Sequence, residues 1–540
     1  VLRLAAPSSI VVAAAIDPFT HATLAAQRPA VAPRTLKTGE PIVATGRADV
    51  PARALGHRRR SLRYGEDMHS TDHSNLKCGL KQRHMTMIAL GGVIGAGLFV
   101  GSGVVIRQTG PAAILSFLIT GGLVVLVMRM LGEMACAMPA VGSFYEYARL
   151  AFSTRRGPGQ LAGFLTGWMY WYFWVIVVAL EAVAGAKLLQ FWVPDAPAWL
   201  ISLGLLIVLT ATNLISVGSY GEFEFWFSSI KVGAIVVFLL LGGLYVCGLW
   251  PSSLHTGSVL PTLLGHGGFM PLGIGPVMSG AVAATGFYFG AEIVTIAAAE
   301  AREPAKAVAK ATNSVITRVL VFYVGSVALV VALVPWNSPA MATPYVSALT
   351  AMGLPAAANI MNAIVLTAVL SALNSGLYAA SRMLFALTRN GDAPASLAKV
   401  NGRGVPVRAI LLGTVFGYGS VVMSYVSPDT VFAFLVDSYG TVAIFVYVLI
   451  AFSQLRLRNR LDEAETARLR VKMWGFPYLT WLSIAGMLGI LVAMAFIPEQ
   501  RKPLWLGVVS LALVFAAYWI CVRRRQRRID EHELVSYGQR

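Results

Sequence analysis

Long apolar blocks separated by short polar loops fill the chain from about residue 86 to residue 522. A helix needs about 20 apolar residues to cross the hydrocarbon core of a bilayer. Blocks at 86–106, 112–137, 161–192, 198–216, 225–250 and 276–300 meet or approach that length. Others follow at 319–335, 359–387, 409–427, 431–455, 475–497 and 504–522. The pattern predicts an all-α membrane protein with about twelve spans. Composition points the same way, with 56% hydrophobic and 13% charged residues. Soluble domains carry about a quarter charged residues, so no polar coat is available for a water-exposed fold of this size.

Charge changes the picture by its placement. The net charge of +18 would suit a nucleic-acid partner if it lay on one surface. The basic residues instead occupy alternate loops: Arg149, Arg155 and Arg156, then Arg302, Lys306, Lys310 and Arg318. Further sets lie at 382–408 and 456–472, and residues 523–540 form a basic tail. The opposite loops offer only Arg107, Lys187, Arg501 and Lys502. Lys and Arg accumulate on the cytoplasmic side, so both termini are expected in the cytoplasm of a cell whose inner membrane holds the protein. Membrane lipid is the expected surrounding partner, and nucleic acid is not. Cys78, Cys136, Cys247 and Cys521 show no paired spacing for a disulfide framework or metal site.

Residues 1–67 are rich in Ala, Pro and Arg and contain no spanning segment. The apolar run from Ile10 to Ile16 is too short to cross, and its flanks make a poor signal peptide. We read 1–67 as a disordered extension, with Met68 as the true start and 68–522 as the membrane domain.

Two glycine-rich interruptions stand out. The first span carries GGVIGAGLFVG from Gly91, and the sixth carries GFYFGAE from Gly286. Each Gly in a helix interior costs about 1 kcal/mol relative to Ala. Freed backbone groups in a membrane must be satisfied or must line a cavity. One such cluster alone reads as close packing through small residues. Two of them five helices apart match an inverted repeat whose broken helices face a site near the midplane. Half-helix N-termini there favour a carboxylate, and unwound carbonyls favour an ammonium. The expected ligand is a small zwitterion.

Ionisable residues inside spans cost at least about 2.5–3.5 kcal/mol at the bilayer centre, so they face protein or water. Lys231, Glu181 and Glu292 are of this kind. Lys231 and Glu292 have no opposite charge within one turn of their own helices, which makes them the candidates for proton coupling. Arg129 and Glu133, four apart in the second span, read as an i,i+4 ion pair. Glu300, Arg302 and Glu303 read as a solvated or gating cluster at a span boundary, and Asp437 stays ambiguous. The aromatic run from Gly167 to Trp174 reads as packing. No nucleophile–base pair or metal-ligand cluster lies at a consistent depth, so neither an enzyme nor a cofactor is expected.

These residues resemble the amino acid–polyamine–organocation transporters, and among them the bacterial amino-acid permeases. The matching stretches are GGVIGAGLFVGSG from Gly91, RMLGEM from Arg129 and GWMYWYFWVIVVALEA from Gly167. They continue with YGEFEFWFSSIKV from Tyr220, FGAEIVTIAAAEAREP from Phe289 and SALNSGLYAASRMLFALTRNGDAP from Ser371. The resemblance implies a five-plus-five inverted repeat, with repeats near 86–250 and 276–455 and accessory helices near 475–522. It implies that Ile94, Gly95, Ala96 and Gly97 meet a substrate carboxylate, while the backbone of Phe289, Gly290 and Ala291 meets the amine. It implies that Lys231 stands where sodium-coupled relatives hold a sodium ion. Leu180-Glu181-Ala182 looks like the GABA-permease branch, so proton-coupled import of GABA or a related zwitterion is expected. The alternatives are a permease for a neutral α-amino acid such as proline, alanine or serine, or a sensor that binds without transport. The family's usual aromatic gate position is Gly286 here, which moves the gate to Phe287 with Tyr288 beside it or enlarges the pocket. Glu181 and Gly286 are therefore the expected specificity positions.

Overall fold

The computed structural model describes residues 80–538 except 93, 96, 141, 154–157, 250–258, 302 and 355. The described residues belong to one compact unit, Asp72–Arg540. The 1–67 extension, Cys78, Ala96 and Arg302 lie outside them.

A chain in hydrocarbon must satisfy its backbone internally, and the described residues do so almost wholly as helix. Helix α1 (Gln82–Gly91) stops at Gly92; after the break a π turn over Gly97–Gly101 leads into α2 (Ser102–Thr109). A 3-10 turn containing Pro111 then begins α3 (Ala113–Ala137), and the short α4 (Phe144–Phe152) follows. Next come α5 (Gly159–Leu189), α6 (Ala198–Ile215), α7 (Val217–Val246) and the short α8 (Val259–Leu264). The sixth span consists of α9 (Ile274–Thr285), a 3-10 turn over Gly286–Tyr288, and α10 (Ile293–Ala297). Helix α11 (Pro304–Thr317) runs through a π stretch, Arg318–Gly325, into α12 (Ser326–Leu333). The remainder is α13 (Pro344–Ala351), α14 (Ala357–Arg389), α15 (Val407–Val426), α16 (Pro428–Arg458), α17 (Glu463–Arg468), α18 (Tyr478–Phe496) and α19 (Pro498–Gly538).

Ten described stretches are long and apolar enough to cross a membrane. One of them, Gly97–Ala137, holds the second half of the first span and all of the second. The seventh span falls short only because its apolar part is confined to Val321–Leu333. With these two resolved, the twelve expected spans are present.

Two helices begin furthest ahead of their hydropathy blocks. Helix α7 starts at Val217 rather than 225, because the Ser216 side chain caps it by accepting from the Ser219 N–H at 3.0 Å. Helix α11 starts at Pro304 rather than 319, since its first turns are amphipathic. Both additions bring polar residues into the protein interior.

Helix α5 lies centrally, packed on α14, α16, α4 and α15. The accessory helices α18 and α19 pack on α16 and on each other. They leave apolar side chains such as Phe496 and Leu513 exposed, as a lipid-facing surface requires.

Two polar expectations are corrected. Arg129 and Glu133 do not form the i,i+4 ion pair. Glu133 turns instead to α16, accepting from Arg458 Nη1 and Gln454 Nε2 at 2.9 Å each, and from the Met473 N–H at 2.6 Å. Arg129 reaches the Lys472 carbonyl at 2.7 Å and stacks on Trp474. Tertiary partners with fixed geometry outcompete the neighbour one turn away.

Glu300 is likewise not solvated. It is 1% exposed, and its Oε1 accepts from Arg382 Nε at 2.8 Å and from Tyr378 Oη at 3.0 Å. Glu303, by contrast, is exposed and pairs with Lys306. The side chain of Asp437 lies outside those described. Removing one partner of a buried pair strands a charge, at about 3–5 kcal/mol. Arg382→Met should therefore lower the thermal unfolding midpoint of the detergent-purified protein sharply, and adding Glu300→Gln should recover much of the loss. An unchanged midpoint in Arg382→Met would remove this pair from the account of stability.

Candidate functional site

The first break begins where the Gly92 N–H closes α1 on the Ile88 carbonyl at 2.9 Å. Beyond it the Ile94 N–H bonds the Gly91 carbonyl at 3.0 Å, and the Leu98 N–H bonds Gly95 at 3.2 Å. Ile94 is buried. A side chain placed on Gly95 would meet nothing within 4 Å, so open space lies in front of that backbone. The helix that resumes at Gly97 presents its N-terminal end toward the break, the polarity that favours an anion.

The Phe287 ring lies across that restart. A Cβ on Gly97 would stand 2.6 Å from Phe287 Cδ1, and one on Gly101 would stand 2.5 Å from its Cζ. Glycine at both positions is what admits the ring. Phe287, half-buried, thus lies along the first turn of the resumed helix, and Gly286 beside it carries no ring.

At the second break Phe289 is extended and Gly290 has φ +114°, a conformation that favours glycine. A Cβ on Gly92 would lie 3.1 Å from the Gly290 carbonyl oxygen, so the two broken segments meet backbone to backbone. Glu292, fully buried, fastens this turn. Its Oε2 accepts from the Gly290 N–H at 3.0 Å and from Tyr447 Oη at 3.1 Å, and its Oε1 accepts from Tyr170 Oη at 3.2 Å. Ala291 is buried beside it. The Phe289 ring packs on Phe173 with centroids 4.0 Å apart and on Tyr447 at 4.8 Å, behind the break. Tyr288 points elsewhere, donating to the Phe117 carbonyl at 2.8 Å and stacking on Tyr323. The Phe287 carbonyl is already taken by Tyr323 Oη at 2.7 Å.

Lys231 stands against the first break from the α7 side. A Cβ on Gly91 would fall 2.9 Å from Lys231 Cε and 2.0 Å from Ser228 Oγ. The ammonium donates to Ser371 Oγ of α14 at 2.7 Å. Its nearest carboxylate is Glu224, with Oε1 3.9 Å away and both groups buried. Ser371 and Ser228 each donate to that same oxygen at 2.7 Å. Glu181 of α5 is buried, shares Lys231's electrostatic field, and has one oxygen, Oε2, without a hydrogen-bond partner. Glu292 makes no ion pair with Lys231.

The site therefore contains groups that sequence reasoning missed. Glu224, Ser228 and Lys231 recur at i, i+4 and i+7 on one face of α7. That signal is visible once the helix is begun at its Ser216 cap instead of at 225. Ser371, Tyr170 and Tyr447 come from helices distant in sequence, and no local signal marks them. No group of His, Cys, Asp or Glu among the described residues could hold a metal ion.

Broken first and sixth helices meeting at their backbones, open space before one of them and a buried lysine against it define a multi-pass carrier. The chain belongs to the amino acid permease family, whose model matches residues 84–531. With membership come the five-plus-five inverted repeat and two accessory helices. The chain is 52% identical to the gamma-aminobutyric acid permease of Bacillus subtilis (strain 168), covering 85% of this chain and 96% of that one. It is 48% identical to the gamma-aminobutyric acid permease of Escherichia coli (strain K12), over 81% and 91% of the two chains. The aromatic amino acid transport protein AroP of Corynebacterium glutamicum is 39% identical, over 82% and 93%.

Proposed function

We propose that this amino acid permease imports GABA, or a closely related small zwitterion, together with protons by alternating access. The observation that carries the reading is Lys231 packed on the last turn of α1 at the first helix break, where a change in its charge would act on the backbone proposed to hold the substrate. The carboxylate would sit at Ile94, Gly95, Ala96 and Gly97 under the Phe287 ring. The amine would meet the unwound backbone of Phe289, Gly290 and Ala291, which Glu292 holds in shape. Glu181 and the absent ring at Gly286 would set the length of substrate admitted. The names borne by the two GABA-permease relatives support the choice of substrate. The first repeat would comprise α1–α7, the second α9–α16, and α18–α19 would be accessory, with both termini in the cytoplasm beneath the cell inner membrane.

Energetics support the coupling. A zwitterion carried with one proton is net positive, and one charge moving through 100 mV is worth about 2.3 kcal/mol. A one-unit pH gradient adds about 1.4 kcal/mol per proton, a ten-fold concentration ratio. Purified protein in liposomes should therefore concentrate labelled GABA about ten-fold for a one-unit inward gradient if one proton accompanies each molecule. Uptake indifferent to the gradient would end the coupling proposal. In the same vesicles unlabelled GABA should compete better than proline, alanine or serine, and the reverse order would assign a neutral α-amino acid instead.

A further inference from the structure

The buried polar cluster on α7 has an order that neither substrate binding nor helix packing requires. Lys231 Nζ donates to Ser371 Oγ at 2.7 Å, and Ser371 Oγ donates to Glu224 Oε1 at 2.7 Å. Nζ itself is 3.9 Å from that oxygen, beyond hydrogen-bond reach, so among the described residues the Ser371 hydroxyl is the hydrogen-bonded link between the two charges. Ser228 donates to the same oxygen, which fixes the carboxylate toward the serines. The other oxygen, Oε2, is buried and has no hydrogen-bond partner. Every hydrogen bond to this carboxylate thus converges on the oxygen that faces Ser371 and Ser228.

We propose that Glu224 is the proton acceptor of Lys231, reached through the Ser371 hydroxyl. This rests on the reading of Lys231 as the coupling residue and extends it by one step. An N–H bond of the ammonium breaks and its proton passes to Ser371 Oγ. The serine's own O–H breaks in turn, and that proton forms an O–H bond on Glu224 Oε1. Lys231 becomes a neutral amine, Glu224 a neutral carboxylic acid, and Ser371 is unchanged. The pair has no net charge before or after the step. Moving a proton between these groups therefore strands no isolated charge in a desolvated pocket, which is the outcome that would be costly.

Of the charged side chains described on the packed elements, Lys81, Arg83 and His84 at the start of α1 engage Glu222, on another face of α7. Arg382 of α14 engages Glu300. Glu181 of α5 alone shares the field of Lys231 with Glu224. Glu224 lies on the side of Lys231 nearer the start of α7, which under the proposed orientation is the cytoplasmic side. A proton accepted there has moved in the direction of import.

The test uses the full chain in liposomes loaded with a pH-sensitive dye, measuring GABA-dependent acidification and, separately, GABA counterflow without a gradient. Wild type should show both. Glu224→Gln should lose the acidification with a much smaller effect on counterflow. Ser371→Ala should do the same, and Ser371→Thr, which restores a hydroxyl, should recover acidification. If wild type acidifies and Glu224→Gln acidifies equally, the relay is wrong while the coupling role of Lys231 stands. If wild type exchanges GABA without acidification, both readings fall. Loss of counterflow together with acidification in Glu224→Gln would overturn the proposal by making the carboxylate a structural partner. Should that variant not reach the vesicles, Ser371→Ala decides: retained acidification overturns the relay.

Discussion

Lys231→Ala should reduce gradient-driven GABA accumulation to the level of protein-free liposomes. Its side chain lies against the first helix break, with Cε 2.9 Å from the Cβ position of Gly91. It also balances Glu224, which the two serines hold beside it. Removing it takes away the group proposed to carry the proton and leaves a buried carboxylate without its counter-ion, a loss of about 3–5 kcal/mol. Two measurements separate these effects. Accumulation should be absent both in Lys231→Ala and in the double variant Lys231→Ala/Glu224→Gln. The thermal unfolding midpoint should fall in the first and recover in the second, because the stranded charge has been removed with its partner. Accumulation restored in the double variant would show that Lys231 serves only to neutralise Glu224.

The membrane class and the span pattern were legible because hydrocarbon imposes a length and a polarity that composition records directly. The breaks were legible because glycine clusters are costly in helices, and their recurrence five helices apart has few explanations. Legibility failed where tertiary partners decide the outcome. Glu133 had Arg129 one turn away and chose Arg458, Gln454 and the Met473 N–H. Glu300 looked like a boundary residue and is buried against Arg382. Glu224 fell just outside a hydropathy block, although its helix had already begun at Val217. Glu292 was visible as a buried charge, and its bond from the Gly290 N–H is local, but the bonds from Tyr170 and Tyr447 depend on helices α5 and α16 coming together. Local pattern thus gives the elements and the sites of strain, while the pairing of buried charges requires the packed bundle.

Gly91→Ala should abolish transport although it adds a single methyl group. The new Cβ would fall 2.0 Å from Ser228 Oγ, 2.4 Å from Ser228 Cβ and 2.9 Å from Lys231 Cε. Atoms of different side chains do not approach so closely, so α1 and α7 must separate at the very point where the helix breaks. Small residues at such crossings exist to let backbones approach, and overpacking a well-filled interior costs about 1–3 kcal/mol. The functional loss should exceed the loss of stability, because the separation also shifts Ser228 and Lys231 relative to the substrate backbone and loosens the hydroxyls from Glu224. Relief is specific. Ser228→Gly removes both of the closest atoms, leaving only the movable Lys231 stem, so Gly91→Ala/Ser228→Gly should regain GABA counterflow that Gly91→Ala lacks. Ser228→Ala should help less, since its Cβ still blocks the methyl group. Counterflow of Gly91→Ala equal to wild type would refute the close approach of α1 to α7 on which the reading of Lys231 depends.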